Sequence, residues 1–267
     1  MTTWLLMLAI GTSANSISHR GITWTFAADH QTGTFANGEP WAIGPVTITN
    51  IDPNPSQSVL GTQHGSMVNP LPQTDFGFDS SPKIYPLKYA ASKNVALSFP
   101  FTVPQGSVLV SSRSRGEYPT WLQTVCALTV LSSAPPEGSF RPAIFGEDRT
   151  IKWNINQLNW NILKNYTAIP STPPKADIER YMPPLPWFEW AKTWDGNALQ
   201  PRDNTADGGM EYGRAIGGKF GCVALWLNTN QPLSDKKAIA IQMVQNGLDI
   251  YNYVKTGGGF YHDGGHK

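Results

Sequence analysis

The chain has 267 residues, 40% hydrophobic and 15% charged, enough to bury one large core or two modest ones. Its 20 basic and 19 acidic residues nearly cancel, and no basic run of five occurs, which argues against a binder of nucleic-acid backbones. Ten tryptophans, 25 glycines and 22 prolines describe a loop-rich frame with many aromatic rings, suited to sugar stacking and equally to a plain aromatic core.

The first segment, Trp4 to Ile10, is a short apolar run followed by small residues, with Ala14-Asn15-Ser16 as a small-x-small pattern. We read residues 1–16 as a signal peptide and expect a secreted or periplasmic protein. The run is too short to span a bilayer, and no membrane partner is expected. Cys126 and Cys222 are too far apart in sequence and context to predict a disulfide, and no cysteine-based zinc spacing exists.

From Gly21 the punctuation is that of strands. Ile22 to Phe26 alternates with period two, and Val46 to Thr49 repeats the pattern with β-branched residues. Asn37-Gly38 between Phe35 and Trp41 signals a hairpin. Asn94 to Phe101 and Ser107 to Ser111 are joined by the turn sequence Val103-Pro104-Gln105-Gly106, and Thr124 to Leu131 reads as a buried strand. Asp52 to Lys88 is a long, proline-rich loop. Together these predict an antiparallel β-sandwich-like domain over 17–146.

Beyond Arg149 the period becomes helical. Apolar residues at 151, 155, 158, 162 and 163 predict a helix over 151–166. Further helices are predicted at 175–182, at 210–227 and from an N-cap at Ser234 to about Lys255. Gly213, Gly217, Gly218 and Gly221 would let another helix approach closely. The expected fold class is thus α+β, with a helical-hairpin domain over 147–267.

Two loops echo one another. Asp207-Gly208-Gly209-Met210 precedes one long helix, and Asp263-Gly264-Gly265-His266 follows the next. A recurrence after a helix pair is what a helical-hairpin repeat produces, so the last segment reads as the start of a repeat whose helix is absent. Asp-Gly-Gly is also an ordinary turn.

A β domain joined to helical hairpins with the loop Asp207-Gly208-Gly209-Met210-Glu211-Tyr212 resembles polysaccharide lyases with an (α/α) toroid, of the alginate-lyase and heparinase II/III kind. The resemblance covers roughly 150–267. It implies an incomplete toroid-type helical domain and cleavage of an acidic, uronic-acid-containing glycan by β-elimination. That chemistry needs a donor that neutralises the C6 carboxylate, a base for the C5 proton and an acid for the leaving oxygen. Asn204, Tyr212, Arg214, Tyr261, His262 and His266 supply these residue types near the loops. Trp187, Trp190 and Trp194 are candidates to line a sugar cleft, or else to pack helices together. Arg113 and Arg115, at a strand end, are candidates to meet an acidic glycan.

No cofactor is expected, although Asp203, Asp207, Asp263, His262 and His266 could ligate a divalent metal. The histidines lack the rigid helical spacing of a zinc motif and have a solvated tail as their plainer alternative. Tyr212 and Asp207 have plainer alternatives too, as a core aromatic and a helix cap. Two rival functions stand beside the lyase. One is a non-catalytic glycan-binding or cell-surface protein. The other is a toroid-type glycoside hydrolase drawing on Asp203, Asp207 and Glu211 as carboxylates.

Overall fold

The structure is a computed structural model that describes residues 12–56, 64–71, 77, 90–114, 122–182 and 213–256. Eight strands form one sheet: β1 (Thr12–His19), β2 (Ile22–Thr34), β3 (Pro40–Ile43), β4 (Val46–Asp52), β5 (Gly65–Val68), β6 (Phe101–Val103), β7 (Ser107–Ser114) and β8 (Leu122–Leu131). The spatial order is β5-β7-β8-β3-β2-β4-β6, with β1 paired to β2.

The connection from β6 to β7 explains why this sheet curls. On the hydrogen-bonded path they lie five strands apart, which in a flat sheet is roughly 24 Å. Only Pro104, Gln105 and Gly106 join them, a reach of about 14 Å when fully extended. Gly106 supplies the turn with φ +72°, and Gln105 Nε2 donates to the carbonyl of Gly44 beneath it. The sheet therefore bends into a nearly closed barrel.

Alternation decides what fills the barrel. Ile22, Trp24 and Phe26 of β2 point inward with Val46 and Ile48 of β4, Val103 of β6, Leu109 of β7, and Cys126, Leu128 and Val130 of β8. The interleaved residues Val108, Val110, Val125 and Ala127 face outward and are buried as well. They lie under Ile144, Phe145 and Tyr253, with the last two rings edge-on at 5.1 Å. This double burial is the reason Val125, Cys126, Ala127 and Leu128 of β8 form a continuous apolar run.

Three α-helices occur among the described residues: α1 (Lys175–Tyr181), α2 (Gly213–Leu227) and α3 (Leu233–Lys255). Ile178 of α1, Val223, Trp226 and Leu227 of α2, and Ile239 of α3 share one cluster. The far half of α3 instead packs its Ile250 and Tyr253 on the barrel wall.

These observations correct the expected fold class. The protein is mainly β, built on one curled sheet rather than an antiparallel sandwich, and β3 pairs with β8 in parallel. The described residues do not form the expected incomplete (α/α) toroid: their helices are few and the longest leans on the barrel. The predicted helix over 151–166 is not formed. Asn154 and Asn159 accept hydrogen bonds from the amides of Asn156 and Asn161, and each starts a single 3-10 turn, at Ile155–Gln157 and Trp160–Ile162. Asparagine side chains here compete with the helical ladder and stop it from propagating. Other corrections are smaller. Helix α3 starts after Pro232 rather than at a Ser234 cap. A Cβ at Gly218 or Gly221 would meet nothing within 4 Å, so no described helix nestles there. Strand β5 stands inside the predicted long loop. The small-residue pattern Ala14-Asn15-Ser16 lies within β1.

Candidate functional site: a basic hairpin tip

The β1–β2 hairpin is closed by two residues. His19 pairs with Ile22, and Arg20 and Gly21 between them have φ +48° and +77°. Two consecutive left-handed residues make the turn whose twist matches antiparallel strands. Glycine adopts this conformation freely, whereas an arginine there costs about 1 kcal/mol or more. Arg20 is nonetheless held in it, with its side chain exposed.

Two other strands brace the tip. The buried Cys126 thiol of β8 lies 3.6 Å from the His19 carbonyl and donates to it. Arg113 of β7 reaches across, its Nη1 donating to the Gly21 carbonyl at 3.5 Å. A Cβ on Gly21 would sit 2.6 Å from that Nη1, so the guanidinium occupies the space that a side chain would take. Two arginines far apart in sequence thus meet at one turn. His19 adds no charge at neutral pH. Burial, and secondarily Arg20, bring its pKa down from 6.5 to about 4, and its Nε2 has no hydrogen-bond partner.

Beneath the tip a chain of polar groups ties the barrel end together. Trp24 Nε1 donates to Ser111 Oγ at 2.9 Å, Ser111 and Ser66 hydroxyls are 2.7 Å apart, and the Ser66 amide donates to Asn94 Oδ1 at 2.9 Å. Each partner is satisfied, so this network locks β2, β5 and β7 in register and leaves no reactive group.

A second charged cluster is buried where α3 meets the barrel. Arg141 Nε donates to Glu39 Oε2, and its Nη1 and Nη2 donate to the two oxygens of Asp249 at 3.0 and 2.5 Å. Gln245 brackets the Arg141 backbone, accepting from its amide and donating to its carbonyl. Burial works against the Arg141 charge, but Asp249 and Glu39 outweigh it and raise the pKa above its ordinary value. Burial also lifts the Asp249 carboxyl, with Arg141 pulling the other way. Nearby, Arg149 is brought down to about 10 by burial first and Arg141 second, while its Nη2 donates to Asn69 Oδ1 and the Ile144 carbonyl. Arg141, Glu39 and Asp249 are shut away from solvent, so their cluster fixes α3 in place rather than meeting a ligand.

Of the residues singled out in the sequence, Arg113 is the one the structure places in a site. Arg214 stands in the first turn of α2, its side chain outside the described residues. Asn204, Tyr212, Tyr261, His262, His266, Trp187, Trp190, Trp194 and Arg115 lie outside the described residues, as do Asp203, Asp207, Glu211 and Asp263. The sequence reading missed Arg20. Its signal was Arg20-Gly21 standing between Ser18-His19 and the alternating run from Ile22, a two-residue turn with glycine in second place.

Among the described residues no group of three or more histidine, cysteine or acidic side chains is arranged to hold a metal ion. No described helix is long and apolar enough to cross a membrane. Neither Cys126 nor Cys222 is in a disulfide. In comparison with known proteins, no family model, no curated protein and no solved structure matches the chain.

Proposed function

We propose that this protein recognises an acidic polysaccharide, with Arg20 and Arg113 at the hairpin tip meeting its negative charge. The observation that carries this reading is that one turn holds Arg20, kept in a costly backbone conformation, and is reached by the guanidinium of Arg113. Such strain persists where a structure over-determines it and gathers at functional sites. Arginine offers planar donors suited to anionic oxygens, and the neutral His19 leaves the tip's charge to the arginines. The apolar run Trp4 to Ile10 supports placing this recognition outside the cytoplasm.

Affinity electrophoresis tests the proposal. Migration should be retarded by polygalacturonate in the gel and not by a neutral glucan, and retardation should weaken as salt is added. The double variant R20A/R113A should lose about tenfold or more in affinity. Equal retardation of the wild type and the double variant would sink the assignment to this tip.

The finer proposal is that the polysaccharide is cleaved by β-elimination. Asn204 or Arg214 would neutralise the uronate, His262 or His266 would take the C5 proton, and Tyr212 or Tyr261 would protonate the leaving oxygen. The support is chemical. The set contains every residue type the reaction requires, with Arg214 in the first turn of α2 and the others before α2 or after α3 in the chain. Turnover would appear as ultraviolet absorbance of an unsaturated uronide. Tight binding of uronates with no such absorbance would leave recognition standing and remove the chemistry.

A further inference from the structure

We infer that the group seated on the hairpin tip is a carboxylate, gripped side-on by Arg113, rather than a sulfate ester. The inference rests on the acidic-polysaccharide reading and narrows its ligand.

Arg113 is anchored at one end. Its Nη1 is turned onto the Gly21 carbonyl, over the one position in the turn that has no Cβ. That contact holds Nη1 beside the turn. The edge formed by Nε and Nη2 is left without a protein partner among the described residues. These two N–H groups are parallel and coplanar, the arrangement that receives both oxygens of a planar carboxylate in a pair of charge-assisted bonds. A sulfate ester spreads its charge over three weakly basic oxygens. It accepts poorer hydrogen bonds and is held mainly as a charge.

Arg20 has a different part. It is exposed on the turn and its side chain makes no described contact, so it acts as a mobile positive charge that draws in any polyanion. The two arginines therefore separate attraction from selection. Lysine keeps the charge of either one but cannot form the coplanar pair, so R113K should be damaging where R20K is mild.

The experiment measures binding of wild type, R20K, R113K and G21A to polygalacturonate and to dextran sulfate matched in charge per unit length. Thermal unfolding of each variant checks that it is folded. For polygalacturonate, R113K should bind about tenfold more weakly or worse, and R20K within about threefold of wild type. G21A, which displaces the guanidinium without changing charge, should reproduce the R113K loss. For dextran sulfate, R20K and R113K should match each other. If R113K and R20K weaken both polymers alike, Arg113 is only a charge, and the carboxylate inference falls while recognition stands. If neither polymer binds the wild type, recognition itself falls and the inference with it.

Discussion

Replacing Arg141 by methionine tests the account of how α3 is held to the barrel. Arg141 is fully buried, and its guanidinium serves Glu39 and both oxygens of Asp249. Without it, Asp249 keeps one donor, the Ile144 amide at 3.1 Å, and Glu39 keeps the Asn37 side chain at 2.9 Å. Two carboxylates would be left in a dry interior with no cation in contact. Breaking one partner out of a buried ion pair costs about 3–5 kcal/mol, and we expect R141M to fall in that range. The loss comes from stranded charge rather than from a strongly favourable pair, and two measurements separate these. In urea unfolding, the triple variant E39M/R141M/D249L should recover at least half of the loss, since replacing the whole cluster by apolar side chains removes the stranded charge. The loss in R141M should also shrink as pH falls, because a protonated carboxyl needs no cation. A loss below about 1 kcal/mol, or one unchanged between about pH 8 and pH 4, would refute the reasoning.

Two further predictions follow from single contacts. His19 has a folded-state pKa of about 4 against 6.5 for the free side chain, so the unfolded chain binds the proton more readily between those values. Its contribution is therefore fully present above 6.5 and is lost as pH falls towards 4. The full shift, reduced for solvent screening at this half-buried site, gives about 1–2 kcal/mol, and H19Q should flatten the stability profile by that amount. An unchanged pH slope in H19Q would show that another group carries it. Separately, a Cβ on Gly33 would lie 2.3 Å from Cζ2 of the fully buried Trp41, so G33A should cost about 1–3 kcal/mol in chemical denaturation. A neutral G33A would mean that the indole moves aside freely.

The sequence by itself determined whatever depends on near neighbours along the chain. Period-two alternation marked β2 and β4, Asn37-Gly38 marked the turn before β3, where Gly38 has φ +82°, and the largely apolar run Thr124 to Leu131 marked β8. Helical periodicity with proline and glycine stops marked α1, α2 and α3 to within a few residues. The same local reasoning failed over 151–166, where the apolar spacing was helical but Asn154 and Asn159 turned the backbone into single 3-10 turns.

Only the tertiary structure decided what those elements became. Strand order is a matter of pairing between distant segments. A three-residue link between two strands at different places in that order curls the sheet, whereas the sequence showed only a turn and invited a sandwich. The parallel pairing of β3 with β8 and the burial of Arg141 between Glu39 and Asp249 join residues too far apart for any periodicity to register. The candidate site is of the same kind. Arg113 was visible as a charge at a strand end, but its partner turn lies 92 residues away in sequence, and only the closing of the barrel end brings the two together.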